Sequence, residues 1–374
     1  RLYDRLRAMG PAVLLEGREV WLVTGYDAVR SVLRHPGRFV SGLGTSYVRV
    51  SDSGLRAPFI DNDAPAHTRI RRSVQRWFTP SAMEAQRLQV RAHVEGLVSV
   101  ALDPRPGHGG SVDGVAAFAR TLPVLTIGLL TGIDHPDPAE VSALADSVFH
   151  VLGPEPAFEH LQRLGEGLGW LIGEGVPALP EHCLGRAMVD EGGDGGGLEA
   201  DERLTALVSI WTAGVDTTTS LIANALHAFA THPDQWRMLR EEPALAESAI
   251  EEVLRYASQI RMFMRRTLVA TEVLGVAVPA DADICALFPA ANRDPAHYDD
   301  PDRFDVRRNP TDHLAFGSGL HLCLGAPAAR MEGVELLRHL AARVRSIELD
   351  GAPTPNPSAV IQGFVTLPLR LTAA

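Results

Sequence analysis

Apolar positions along the chain recur mostly at the spacing of a helix. From Asp201 to about Ala230 they fall on nearly every face of a 3.6-residue repeat, with Leu204, Leu207, Val208, Ile210 and Trp211 in its first turns, which predicts a long helix buried in the middle of the protein. Shorter helical patterns run over Tyr26 to Leu33, Pro233 to Leu239 and Pro243 to Tyr256. Another covers Pro65 to about Ser99, with a break at Thr79-Pro80 where a new helix can start. A last one begins near Pro327 and passes through Arg330, Glu332 and Leu336 to about Val344. The apolar run Leu122 to Ile133, interrupted by Gly128, predicts a buried core helix, because a membrane span needs ~20 apolar residues. Strand signals are few: Glu19 to Val23 after Glu16-Gly17, short pieces around Val273 to Pro279, and an alternation over Thr366 to Leu371 that fits an edge strand. The glycine-rich stretches Gly107 to Gly110 and Gly192 to Gly197 read as surface loops and lack the GK[ST] ending of a phosphate loop. The chain is expected to be mainly α with a small β region.

Composition narrows the function. The 374 residues are 45% hydrophobic and 22% charged, enough for a large core, and the length allows one large helical domain or two or three smaller ones. A formal net charge of −11 argues against nucleic acid as a partner, since phosphate neutralisation needs clustered Lys and Arg. The three cysteines, Cys183, Cys285 and Cys323, are far apart and show no CxxC spacing. A disulfide framework and a structural zinc site are therefore disfavoured, and a cytoplasmic location is expected. The opening Arg1-Leu2-Tyr3-Asp4-Arg5 has no apolar segment of a signal or anchor, so no membrane association is expected.

One of these cysteines has a distinctive setting: Phe316-Gly317-Ser318-Gly319-Leu320-His321-Leu322-Cys323-Leu324-Gly325. Gly317, Gly319 and Gly325 allow a tight loop with close backbone approach, and Cys323 stands just before a helix whose first turn carries Pro327. Amides of the loop and the helix N-terminus would stabilise a thiolate there. A buried inert cysteine in a glycine turn is the alternative for a lone cysteine. The whole loop matches FxxGxHxCxG and resembles the haem-binding signature of the cytochromes P-450, in particular the bacterial class. The resemblance runs over residues 1–374 as one domain, with the family's first stretch shortened. It implies the family's triangular helical fold and haem b (iron protoporphyrin IX) between the long helix and the Cys323 helix. Cys323 would be the iron ligand, with Phe316, Gly317 and Gly325 against the cofactor.

Three further motifs stand in the family's order. Glu252 and Arg255, at i and i+3, share a helix face and can pair. By resemblance they join Arg308 (Arg307 being the other candidate) to brace the cysteine loop. In Ala213-Gly214-Val215-Asp216-Thr217-Thr218-Thr219, a glycine, an acid and three threonines interrupt an apolar helix, and local rules broken together point to function. The stretch resembles the family's acid–alcohol pair: Gly214 leaves room for O2, Thr217 holds it with a water, and Asp216 relays protons. The haem propionates would be held by His67 and Arg71, at i and i+4, by His321 and by Arg265, with Arg266 the alternative. The family often has an acidic pair shortly after this arginine; Val269-Ala270 stand there instead.

The resemblance implies a monooxygenase that inserts one atom of O2 into a small organic substrate, by hydroxylation or O-demethylation. No GxGxxG or flavin module is visible, so electrons would come from a separate ferredoxin or flavodoxin with its reductase. Arg69, Arg72 and Arg76 form a basic cluster suited to an acidic carrier. Substrate-pocket candidates by family position are Val208, Thr212, Ala213, Met262, Phe263 and Phe364, within the segments Ser41 to Phe59, Val208 to Ala213, Ile260 to Met264 and Gln362 to Val365. Phe149 to Pro156 and Thr231 to Trp236 resemble members that oxidise para-substituted benzoates and methoxy-aromatics. Val208, at the position where those carry a cation, speaks against benzoate and leaves methoxyphenols and natural-product intermediates. Peroxide-driven oxidation, coupling, and a non-catalytic haem sensor are the competing readings.

Overall fold

The computed structural model describes residues 2–47, 49, 56–103, 110–153, 157–190 and 197–374. The two predicted glycine loops fall almost wholly outside these residues. The long helix, Ala200–Thr231, starts on a capping box in which Glu199 and Glu202 each satisfy the other's backbone amide. It ends before Pro233, which starts the next helix, Pro233–Glu241. Leu207, Val215, Leu221, Leu226 and Phe229 are fully buried at the centre of the larger core. The run predicted as a core helix is one, Thr121–Thr131, ending on Gly132 in the left-handed region with φ 80°. The break at Thr79-Pro80 is an N-cap: the Thr79 hydroxyl accepts from the Ala82 amide at 3.2 Å and Pro80–Ala101 follows. The cysteine helix, Ala326–Arg343, packs against this one and against Ala246–Tyr256. Among the described residues no helix is long and apolar enough to cross a membrane.

The β structure is peripheral. Five strands line up as Ala12–Leu15, Val20–Val23, Asp283–Leu287, Met262–Thr267 and Phe39–Val40, with a second, smaller core around them. The hairpin Thr271–Val273 and Val276–Val278 accounts for the predicted turn-rich pieces. The C-terminal alternation is not an edge strand: Pro368–Ala373 lies between Ser111–Asp113 and Val344–Leu349 and is paired on both sides. Its alternation reflects buried Leu369 and Leu371 against exposed Arg370, and Pro368 is tolerated because it is the first residue of the strand.

Candidate active site

Cys323 opens onto a cavity of about 280 Å3 enclosed by the long helix, the cysteine loop, the strand Met262–Thr267 and helix Pro138–Val151. The loop turns through Gly317 and Gly319, both at φ 73°, and a Cβ on Gly319 would stand 2.9 Å from the Leu33 carbonyl oxygen. Gly325 does not need that freedom. Its φ is −81°, and what its missing side chain leaves is open space on the cavity wall. The Cys323 amide donates to the Phe316 carbonyl at 2.9 Å, which closes the loop. Burial pushes the Cys323 thiol up; the amides of Gly325 and Ala326 and the charge of Arg71 pull it back toward thiolate.

Basic side chains with no carboxylate partner among the described residues lie around this sulfur. Arg265 is buried and lines the cavity, with its Nη1 on the neighbouring Met264 carbonyl at 2.7 Å and no ion pair among the described residues. Burial lowers its guanidinium to about 10. Strand alternation separates it from Arg266, which faces the other way and pairs with Asp283 at 2.6 Å. Arg71 lines the cavity and donates to the Leu322 carbonyl at 2.7 Å. The rings of His67 and His321 lie 4.5 Å apart, and each keeps a buried nitrogen without a partner, Nδ1 of His67 and Nε2 of His321. Burial first, then the charge of Arg265, drives His321 down to about 3. A buried Arg265, a partly buried Arg71 and a soft thiol on one apolar space, with two neighbouring imidazoles that keep orphaned nitrogens, fit a flat iron macrocycle bearing two carboxylates.

Behind the loop, Glu252 and Arg255 are fully buried and bidentate, with Nε to Oε2 at 2.7 Å and Nη2 to Oε1 at 2.9 Å. Arg255 also donates to the carbonyls of Asn292, Pro301 and Arg303, and Glu252 accepts from the Asp305 amide. Arg308 reaches Glu252 at 3.4 Å, whereas Arg307 pairs with Glu242 on the surface. A second brace had no separate sequence signal. Glu251, the neighbour of Glu252, holds Arg330 of the cysteine helix at 2.6 Å and faces His313 at 3.2 Å, and Arg330 lies over the Phe316 ring. Arg330 and His313 more than offset burial and hold the Glu251 carboxyl at about 2.

On the long helix, Thr217 lines the cavity and donates to the Ala213 carbonyl at 2.9 Å. Gly214 also lines it, but the space a side chain there would take is occupied by Ile127, whose Cδ1 would be 2.7 Å from a Cβ. Its smallness thus serves the packing of Thr121–Thr131 against the long helix as well as the cavity wall. Asp216 faces away, onto a second cavity of about 290 Å3 that it shares with Arg120, Asp146, His150 and Arg163. Its Oδ2 is buried without a partner, and burial, helped by Asp146 and opposed by Arg120, pushes its carboxyl up to about 7.

Of the predicted substrate residues, Thr212, Ala213 and Phe263 line the first cavity. Three do not. Val208 packs against the helical core, and its neighbours Ser209 and Ile210 face the cavity instead. Met262 points into the smaller core, since on a strand it faces opposite to Phe263. Phe364 lies against the His227 ring, tilted, with centroids 4.7 Å apart, and lines the second cavity. Phe59, Ile127, Phe149 and Gln259 also line the walls; from sequence, Ile127 read only as part of a core helix. Arg69 is not a free surface cation: it binds Glu202 at the start of the long helix at 2.8 Å.

Comparison with known proteins agrees with this geometry. The family model for cytochrome P450 matches residues 181–343. Cytochrome P450 monooxygenase PikC of Streptomyces venezuelae is 35% identical over 98% of this chain and 90% of its own. 6-Deoxyerythronolide B hydroxylase of Saccharopolyspora erythraea is 33% identical, over 99% and 95%. Cytochrome P450 CREJ, solved with (4-ethylphenyl) dihydrogen phosphate, superposes with a TM-score of 0.89 at 27% identity, covering 99% of this chain and 96% of that one. The chain belongs to the cytochrome P450 family and is an oxidoreductase of the monooxygenase class, using haem and O2.

Proposed function

We propose that this enzyme inserts one oxygen atom from O2 into a neutral, largely apolar small molecule in the cytoplasm, with electrons delivered by a separate ferredoxin or flavodoxin and its reductase. The observation that carries the reading is the Cys323 thiol on an apolar cavity also lined by Arg71 and Arg265, which have no carboxylate partner among the described residues, with Thr217 on the long-helix wall. Haem bound there supplies the reductive activation of O2, which consumes two electrons and two protons for each oxygen atom transferred. Cys323 would hold the iron as thiolate, a ligand that favours O–O cleavage. Arg265, Arg71, His67 and His321 would hold the two propionates. Thr217 presents a hydroxyl toward the reacting space, and Asp216 carries protons between the second cavity and the helix.

Substrate neutrality follows from the same inventory. Arg71, Arg265 and His321 are the cationic or basic side chains lining the cavity among the described residues, and all three would be taken up by the propionates of bound haem. No cation remains for a substrate carboxylate, which supports methoxy-aromatic or natural-product substrates over benzoates. Arg72 and Arg76, exposed on and just after the Arg71 helix, are the docking cations for an acidic carrier.

The test is the absorption spectrum of the haem-loaded protein, reduced under carbon monoxide. A strongly red-shifted Soret band that disappears in Cys323→Ala is expected. A band typical of histidine ligation, or survival of the shifted band in the variant, overturns the reading.

A further inference from the structure

Several of the polar groups lining the cavity already have partners. The hydroxyls of Thr126, Thr212 and Thr217 donate to carbonyls one helical turn back, and that of Thr45 donates to Asp61. The basic groups around Cys323 are accounted for by the cofactor. Two further side chains keep a buried oxygen with no partner, Gln259 Oε1 and Glu332 Oε2. Glu332 belongs to the cysteine helix and reaches Thr126. Gln259 stands on the segment that also supplies Ile260 and Phe263 to the cavity wall.

Gln259 is 3% exposed, and its backbone is held from two sides. Its carbonyl accepts from the Gln362 amide at 2.7 Å, the Arg261 amide donates to Val360 at 2.7 Å, and Ile260 bridges Ile361. Asn224 of the long helix donates to both Ala257 and Gln362, at 3.0 and 2.9 Å, and ties the two segments to the helix. Such a lock leaves little freedom to carry the amide out to solvent. A buried acceptor left unsatisfied is costly, and a ligand that satisfies it recovers that cost on binding.

We propose that Gln259 is the polar anchor of the substrate site, its side-chain amide forming a hydrogen bond with a hydroxyl carried by an otherwise apolar substrate. This rests on reading the cavity as the substrate site of a haem-thiolate monooxygenase. It adds a selection rule: the enzyme prefers a molecule already bearing a hydroxyl over the matching hydrocarbon. A site that hydrogen-bonds a substrate hydroxyl discriminates strongly against the analogue lacking it.

The experiment compares haem-loaded wild type with Gln259→Leu, which keeps the bulk and removes the amide. Two matched pairs serve as probes: adamantane with 1-adamantanol, and cyclododecane with cyclododecanol. Dissociation constants come from the spin-state change and, independently of iron ligation, from calorimetry. The expected result is a shift of about tenfold in the alcohol-to-hydrocarbon ratio toward the hydrocarbon in the variant, for at least one pair. The ligand-free variant should also melt at a higher temperature, because it no longer buries an unpaired amide; an amide with a structural role would give the opposite shift. An unchanged ratio, failure of all four probes to bind, or a lower melting temperature overturns the assignment. Absence of the thiolate spectrum in wild type would instead overturn the underlying reading, while the calorimetric ratio still decides Gln259.

Discussion

Asp216 and Thr217 are adjacent in the chain, yet their side chains open onto different cavities, Thr217 beside Cys323 and Asp216 onto the polar space lined by Arg120 and Asp146. Successive helical residues point about 100° apart. One peptide step therefore spans the wall between an apolar reaction space and a charged vestibule.

Asp216 makes stability depend on pH. Its carboxyl titrates at about 7 in the folded protein against 3.8 for an ordinary aspartate, so the folded state keeps a proton that the unfolded chain has released. Stability contributed by this group is therefore present below pH 4 and is lost as pH rises through 7. Asp216→Asn should become progressively more stable than wild type across that window and level off above it, with a gap of up to roughly 4 kcal/mol. Urea unfolding at a series of pH values measures the gap, and a gap that does not change with pH would contradict the burial of this charge.

Thr217→Ala should separate electron consumption from product formation. Reductant is still consumed, but peroxide accumulates and product per electron pair falls, because the hydroxyl that the long helix presents to the cavity is gone. Peroxide and product are measured together against NAD(P)H oxidised in a reconstituted system. Unchanged coupling removes Thr217 from the chemistry.

Glu252→Ala strands the Arg255 guanidinium in a site with no exposure and should cost about 3–5 kcal/mol, with loss of haem retention. Arg308→Ala, at the half-open edge of the same cluster, should cost nearer ~1 kcal/mol. Denaturant midpoints and the haem content of the purified variants rank the two; equal effects would mean that the cluster does not brace the loop.

Met262 and Phe263 are consecutive residues with opposite duties. Met262→Ala should destabilise the protein by about 2–5 kcal/mol and leave ligand affinity unchanged, since its side chain fills the smaller core. Phe263→Ala should alter ligand affinity and admit bulkier ligands, since its ring borders the cavity. Thermal melts and spin-state titrations on both variants decide this, and the reverse pattern would place the strand one residue out of register.

Helical architecture, the buried long helix, the cysteine loop and the order of the motifs were all legible along the chain. Each of these is a local pattern: a 3.6-residue period, a proline at a helix start, glycines where φ is positive. Tertiary structure alone decided which neighbour faces which space. Arg265 over Arg266, Phe263 over Met262 and Ser209 over Val208 are choices between adjacent residues, settled by the burial of one strand or helix face against a partner distant in sequence. The same holds for Gly214, whose missing side chain makes room for Ile127, and for Arg69, whose charge goes to Glu202 across the fold. It holds also for the C-terminal strand, central instead of marginal because Ser111–Asp113 comes back to cover its second side. A side chain's direction is local, but what lies in that direction depends on contacts between segments hundreds of residues apart.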